Sequence, residues 1–376
     1  MAERIAVAMS GGVDSSMAAA LLHDQGFEVL GVTLQLWGKD VCTTAGTRRC
    51  CSVRDALDAK AVAKRLGIHH TVLELSEQFR TQVIDYFVDS YADGLTPNPC
   101  VVCNDQIKFG TLMEQAQQLG ADLVATGHYA RNGYDPATSR YTLSRAVDLA
   151  KDQSYVLFNL TQDQLSRARF PLGSLTKPDV RALARELGLA TAEKPDSQDI
   201  CFVRDGDKNA FLRQRLVQVE QPGPIIDTDG RVLGQHHGLL GYTIGQRQGL
   251  GIAAGYPLYV VAMDRTNNRL VVGSREQLLA EAFVAERVNW VSCPMPDQPR
   301  RADVKIRSRH DPTAATVSPL DANSWHVRFE VSQPAVTPGQ AAVFYQDQLV
   351  LGGGWITVAP DRQDADRFTA CKTASG

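Results

Sequence analysis

The sequence predicts an α/β chain whose first half is a doubly wound parallel sheet and whose remainder is β structure in one or two small units. Three observations carry that prediction. Strand-like and helix-like runs alternate from Ile5 to Thr126, the pattern of a parallel sheet covered on both faces. A Gly-rich turn, Ser10 to Asp14, joins the first strand-like run to the first helix-like run. From about Pro222 the texture becomes short alternating apolar runs separated by Gly, Pro, Asn and Asp.

Taken in order, Ile5 to Met9 reads as a short buried strand and Ser15 to Gln25 as a helix rich in Ala and Leu. Phe27 to Leu36 is the next strand. A helix from about Ser52 carries Ala56, Ala59, Ala63 and Leu66 on one stripe. Thr71 to Leu75 is strand-like, Phe79, Val83 and Phe87 mark a helix, and Leu112, Ala116 and Leu119 mark another before the strand Asp122 to Thr126. Thr176, Pro178 and Asp179 form a capped helix start, with Val180, Leu183, Ala184 and Leu187 as its apolar stripe and Gly188 as its stop. Later strand-like runs are Leu258 to Met263, Leu270 to Gly273, Val304 to Arg309, Trp325 to Val331 and Ala341 to Tyr345. The polar tail after Pro360 reads as frayed.

The chain has 376 residues, 44% hydrophobic and 22% charged, which suits packed cores and excludes global disorder. No apolar run approaches the ~20 residues that span a bilayer, and the N-terminus lacks the apolar core of a signal peptide, so the expectation is a cytoplasmic protein without a membrane partner. Eight cysteines in such a chain read as thiols, metal ligands or catalytic groups, not as a secreted disulfide framework. The net charge of −3 leaves no global basic footprint, so nucleic acid would have to be held by a local patch.

Ser10-Gly11-Gly12-Val13-Asp14-Ser15 is neither a Walker loop nor a dinucleotide loop. Its glycines let backbone N–H groups approach phosphate oxygens, and the helix N-terminus favours an anion. Ser10 and Ser15 offer hydroxyls, and Asp14 offers a carboxylate to Mg²⁺. The run matches the Ser-Gly-Gly-x-Asp-Ser signature of the ATP pyrophosphatase superfamily, which resemblance implies splitting of ATP to AMP and pyrophosphate. Leu34, ending the second strand, is a candidate adenine wall, and Gly127, after the strand Asp122 to Thr126, a point of close backbone approach.

The segment Thr96 to Asn104 stiffens through Pro97 and Pro99 and brings Cys103 to an expected helix start, where a thiol pKa falls. Cys201 stands in a second segment, Asp196 to Phe202. Two thiols brought together can carry a labile sulfur and resolve it by thiol exchange. Burial is the simpler expectation for Cys293 and Cys371, and Cys50 and Cys51 before Ser52 read as structural.

Further motifs join these in one order: Ala125 to Tyr129, Lys151 to Tyr155, Gly245 to Gly251 and Thr337 to Gln340. Together they closely resemble the bacterial tRNA-specific 2-thiouridylases, to about Ile356. The resemblance implies an ATP pyrophosphatase domain of the adenine nucleotide hydrolase-like type at 1–213, a small central β-rich domain at 214–278, a C-terminal β-barrel at 279–360 and a tail at 361–376. It implies 2-thiolation of the wobble uridine in tRNA for lysine, glutamate and glutamine, with sulfur from a cysteine desulfurase or a carrier protein. Ala8, Met9, Ser10, Gly11, Gly12, Val13, Asp14, Ser15, Leu34 and Gly127 would contact ATP. Asn98, Pro99 and Cys100 would contact the target base, with Cys103 as nucleophile and Cys201 as persulfide carrier. His128, Lys151, Asp152, Gln153, Arg307, Ser308 and Gln340 would touch tRNA.

Many members carry Asp where this chain has Cys100, so a carboxylate role does not transfer to that position. Cys100, Cys103 and Cys201 are also enough ligands for a [4Fe–4S] cluster, and the cysteine pattern leaves persulfide and cluster both open. Strand alternation would set Lys305, Arg307 and Arg309 on one face able to track phosphates. The rival expectations are a superfamily member that amidates or ligates a small metabolite, and a non-catalytic RNA-binding or assembly protein with a relic nucleotide loop.

Overall fold

The computed structural model describes residues 2–36, 53–196, 200–203, 207–216 and 221–357. Its first half contains strands β1 (Arg4–Ala8), β2 (Glu28–Gln35), β3 (His69–Glu74), β4 (Leu123–Ala125), β5 (Ala130–Asp135), β6 (Arg140–Arg145) and β7 (Ala168–Arg169). Helices α1 (Val13–Asp24), α2 (Val53–Leu66), α3 (76–92), α4 (99–118), α5 (Gln162–Arg167), α6 (Lys177–Glu186) and α7 (Lys208–Arg215) surround them. The sheet order β3-β2-β1-β4-β7 is parallel throughout. Alternation sorts β1 between two cores. Ile5 and Val7 pack with α1, α2 and α6, while Ala6 packs with α4 on the other face. Burial of Ile5 and Val7 contributes roughly 1.5–3 kcal/mol each, which fixes the register of β1.

Helices α3 and α4 each widen into a π-helical stretch, at Arg80–Asp85 and Cys103–Thr111. The wider turns of α4 are tied to α5 and to the segment before it. Gln164 Nε2 donates to the Phe109 and Asp105 carbonyls (3.0 and 3.2 Å), and buried Asn104 donates to Val156 (3.0 Å). Such stretches are frequent at functional sites.

The central unit is a four-stranded sheet of β8 (Gly223–Asp227), β9 (Val232–His236), β10 (Tyr259–Asp264) and β11 (Arg269–Gly273), ordered β10-β11-β8-β9 around Ile225, Val260, Leu270 and Val272. Strands β12 (Leu279–Asn289), β13 (Arg300–Lys305), β14 (Thr313–Pro319), β15 (Ser324–Pro334), β16 (Ala341–Gln346) and β17 (Leu349–Ile356) follow in the order β12-β15-β14-β13-β16-β17. Pairing of β12 with β17 closes them into a six-stranded barrel. Phe283, Trp325, Val327 and Phe344 fill it.

Two features depart from expectation. The sequence pattern does not announce the β5–β6 hairpin, which adds to the barrel sheet through Leu349 opposite Ser144 and Val350 opposite Leu143. The run Val304 to Arg309 is not one strand. β13 ends at Lys305, whose side chain turns inward over the Tyr155 ring (5.8 Å), while Arg307 to Arg309 lie in the following turn. The phosphate-tracking face of Lys305, Arg307 and Arg309 therefore does not form. Among the described residues no helix is long and apolar enough to cross a membrane. Cys50 to Ser52, Cys371 and the tail lie outside the described residues.

Candidate active site

β1 is the point where the sheet order reverses, with β2 on one side and β4 on the other, so the loops after β1 and β4 open a crevice at the carboxyl edge. The loop after β1 is held by its own hydroxyls. Ser10 N donates to Ser15 Oγ (3.1 Å), and Ser15 and Ser16 Oγ donate to the Gly12 carbonyl (3.2 and 2.8 Å). Gly12 caps α1 with extended backbone and no side-chain bond, leaving the first N–H groups of the helix for an external acceptor. Gly11 has φ +69°, and a Cβ there would stand 2.3 Å from the Asp55 carbonyl oxygen. A Cβ on Gly127 would stand 2.7 Å from the Asp14 carbonyl carbon and Ser15 nitrogen. Gly127 thus lies directly against the backbone at the start of α1. Leu34 is half-buried at the end of β2, and Met9 is buried beneath the loop.

Asp14 does not face solvent as an unclaimed carboxylate. Lys177 Nζ donates to both its oxygens (2.8 and 2.8 Å), and Tyr129 OH donates to Oδ1 (2.8 Å). Lys177, 7% exposed, also bonds Asp196 (2.7 Å), which Lys151 (2.8 Å) and Arg181 (3.2 Å) share. Burial raises the Asp196 carboxyl pKa, but Lys151 and Lys177 overcome this and bring it to about 2. The Tyr129 hydroxyl is pushed up by burial and by Asp14. Lys194 pins the loop from a third side, donating to the Gly11 carbonyl (2.9 Å) and to Asp55 and Asp58 (2.6 and 2.7 Å). A cation at Asp14 is therefore already supplied by Lys177, and these residues do not form a resident Mg²⁺ site as they stand. Lys177 is legible in the sequence as part of a helix cap, but nothing in the spacing signals a partner 163 residues away.

The cysteine end is assembled from distant segments. Asn98 caps α4 and accepts from Cys100 N (3.2 Å), so Cys100, not Cys103, occupies the first turn. Cys103 begins the π-helical stretch and is 9% exposed. The helix-terminus argument for its thiol thus moves to Cys100, which is exposed but recessed among protein atoms. Its pKa is nonetheless raised, because desolvation outweighs the charge of Lys108. Cys201 is exposed. Its neighbours Ile200, Phe202 and Val203 share a core cluster with Cys103. Phe202 meets Phe79, Phe87 and Phe211 at 5.9, 5.0 and 5.2 Å. Leu34, Leu36, Leu73 and Leu75, at the ends of β2 and β3, belong to the same cluster and place it at the carboxyl edge of the sheet. Residues 197–199 lie outside the described residues. Among the described residues no three His, Cys, Asp or Glu side chains gather to hold a metal.

The residues expected to touch tRNA occupy unlike environments. His128 is 7% exposed, bonded to Thr126 Oγ1 (2.7 Å) between Phe109 and Phe170, and burial holds its imidazole well below the usual range. Asp152 is a loop organiser, accepting from Ala146 N and Ser154 Oγ (3.1 and 2.9 Å), and Gln153 accepts from Tyr129 N (2.9 Å). Lys151 is half-buried on Asp196, Arg307 is half-buried and Ser308 is exposed. Gln340 Nε2 donates to the Thr96 carbonyl (2.8 Å).

A parallel sheet with a Gly-rich loop at its switch point, followed by two β units, defines a protein of the HUP class. Three family descriptions match in succession: tRNA methyl transferase HUP domain over residues 3–205, tRNA methyl transferase PRC-barrel domain over 209–274 and aminomethyltransferase beta-barrel domain over 280–356. The chain is 50% identical over 358 residues to a tRNA-specific 2-thiouridylase of Heliobacterium modesticaldum, covering 95% of this chain and 93% of that one. It is 51% identical over 365 residues to one of Solibacter usitatus, covering 94% and 98%. The chain belongs to the tRNA-specific 2-thiouridylase family.

Proposed function

We propose that the chain uses ATP to activate a uridine of tRNA and replaces the 2-oxygen of that base with sulfur. The observation that carries this reading is the shared cluster of Cys103 with the residues flanking Cys201, set at the same sheet edge as the nucleotide loop. The family descriptions name methyl transfer and the relatives name thiolation; two thiols at the edge of an adenylating crevice serve the second chemistry and have no task in the first.

ATP, entering as its Mg²⁺ complex, lays its phosphates against the N–H groups of Gly12 to Ser15, with Leu34 and Gly127 flanking the nucleoside. The 2-oxygen of the uracil attacks the α-phosphate, pyrophosphate leaves, and the oxygen becomes part of a good leaving group. The target base leaves its stack to reach Asn98, Pro99 and Cys100. The terminal sulfur of a Cys201 persulfide attacks the ring carbon and AMP departs. Cys103 thiolate then attacks the Cys201 sulfur of the resulting mixed disulfide, releasing the thiocarbonyl and leaving a Cys103–Cys201 disulfide for a cellular dithiol to reduce. The persulfide is supplied by a cysteine desulfurase or sulfur carrier. The substrates are the tRNAs for lysine, glutamate and glutamine, and Arg307 and Ser308, in the turn after β13, are their anchors on the barrel.

The test is incubation with ATP, tRNA and a desulfurase with cysteine, reading pyrophosphate and nucleoside mass. Pyrophosphate stimulated by tRNA together with 2-thiouridine supports the reading. Absence of both supports a binding protein, and pyrophosphate independent of tRNA supports a small-metabolite ligase.

A further inference from the structure

We propose that the loop 247–258 of the central unit forms a groove that holds one nucleotide of the bound tRNA, with a phosphodiester on Arg247 and the adjoining base against the Tyr256 ring. The inference rests on the reading that tRNA is the substrate. It gives the central unit a task in substrate binding, which neither the nucleotide end nor the cysteine end assigns to it.

The local charge suits an anionic partner. Between Asp229 and Asp264 the sequence contains no Asp or Glu, although the whole chain carries a net charge of −3. The motif Gly245 to Gly251 lies inside that stretch, and the thiolation chemistry leaves it without a role. In the structure the loop encloses an open groove of about 420 Å³, walled by Arg247, Leu250, Ile252, Tyr256 and Leu258. Small-ligand clefts commonly run ~300–1,000 Å³ and combine an apolar lining with a few polar groups. Here Leu250 and Leu258 are the buried lining, while Arg247 is exposed and Tyr256 is 63% exposed.

The polar groups of the groove have no partners of their own. Among the described residues Arg247 makes no ion pair or hydrogen bond, and no backbone N–H from Arg247 to Tyr256 has a protein acceptor. Successive N–H groups bent through left-handed positions make an anion-binding concavity. Gly251 and Gly255 have φ +68° and +73°, and a Cβ on either would meet nothing within 4 Å. These glycines therefore serve backbone shape and access, not packing. A guanidinium and bare amides suit a phosphate, and a neighbouring exposed aromatic ring suits a base. A free phosphate would leave the ring and the apolar wall unused.

The groove also adjoins the cysteine end. Leu240, just ahead of the loop, packs against the cluster that contains Cys103. Thr243 Oγ1 accepts from Lys208 Nζ on α7 (3.1 Å). A Cβ on Gly245 would stand 2.7 Å from Cβ of Ala335, shortly before Gln340, which the resemblance sets against tRNA. The loop thus departs from the junction of the cysteine cluster and the barrel, beside the place where the target base is presented to Asn98, Pro99 and Cys100.

The experiment uses the full chain and its Arg247→Gln, Tyr256→Ala and Tyr256→Phe variants. Both side chains are exposed, so neither substitution removes core packing. Binding of an unmodified glutamate tRNA transcript is followed by fluorescence anisotropy across a salt series, and thiolation is measured with tRNA and ATP as varied substrates. Arg247→Gln is expected to weaken tRNA binding about five- to tenfold. It should also flatten the slope of log affinity against log salt by about 0.7–0.9, the share of one phosphate. Tyr256→Ala is expected to weaken binding about fivefold or more with the salt slope unchanged, and Tyr256→Phe to restore it to within about twofold of the parent. For Arg247→Gln and Tyr256→Ala the KM for tRNA rises in step, while kcat and the KM for ATP stay within about twofold. Unchanged tRNA affinity in both variants would overturn the proposal. So would loss of sulfur transfer from the desulfurase to Cys201 with tRNA affinity intact, which would make the groove a dock for the sulfur donor. If the parent binds tRNA without thiolating it, the functional reading fails while anisotropy still decides the groove; a parent that binds no tRNA overturns both.

Discussion

The two ends of the site follow opposite building plans. The nucleotide end is one continuous stretch, Arg4–Asp24, in which strand, turn and helix each form for local reasons and lock through Ser10, Ser15 and Ser16. The cysteine end draws on three remote segments, around Asn98 to Cys103, Ile200 to Val203 and Pro338 to Ala341, and holds them by an aromatic cluster and barrel contacts. A phosphate cradle can be nearly finished before its ligand arrives. In the proposed cycle the two thiols change partners; Cys201 is exposed while its neighbour Phe202 is anchored.

The sharpest separation of the two ends comes from the thiols. Cys103→Ser and Cys201→Ser should each lower 2-thiouridine formation by about 10³-fold or more while tRNA-stimulated pyrophosphate release continues; loss of both readouts together would show that the ends are not separable. Phe202→Ala should cost about 3–4 kcal/mol of unfolding free energy, measured by denaturant titration, because it opens the cluster beneath Cys201. Little loss would mean that the anchor is not energetic. Gly127→Ala tests the nucleotide end: the new methyl meets α1 backbone at 2.7 Å, so a loss of about 1–3 kcal/mol and weaker ATP binding by calorimetry are expected.

The smallest effect concerns Asp196, which bridges the loop network and the Cys201 segment. Its carboxyl falls from 3.8 unfolded to about 2 folded, so the contribution is complete above about pH 4 and fades as pH drops toward 2. Thermal melts of the parent should therefore lose about 2 kcal/mol more than Asp196→Asn between pH 5 and pH 2. Equal acid sensitivity would remove the network from the stability of this region.

Elements driven by local pattern are legible in the sequence. β1, α1 and the Thr176 cap, which forms a reciprocal box with Asp179, stand within a few residues of where the pattern puts them. Partnership at long range is not legible. The β5–β6 hairpin carries Arg, Asn, Asp and Tyr, and among its residues only Ala130 and Leu143 are buried, so it lacks an apolar stripe and owes its place to β17. Lys305 reads as a surface cation only when alternation is carried past the real end of β13; in place it is 6% exposed, and burial lowers its pKa. Cys103 falls at a helix start only if Pro99 precedes the helix, whereas Pro99 is its first residue, where a missing N–H does no harm.

The seam between β6 and β17 has a consequence for how this chain can be divided. Two residue pairs sew a hairpin of the nucleotide-binding half onto the edge of a sheet folded from the last part of the chain. A polypeptide ending before β12 would leave the open rung of β6 facing water, together with Leu143 and Tyr345's partner Ser154. Such a fragment would be expected to self-associate through that bare edge. The three family segments are modules in sequence, but the first and third share one fabric.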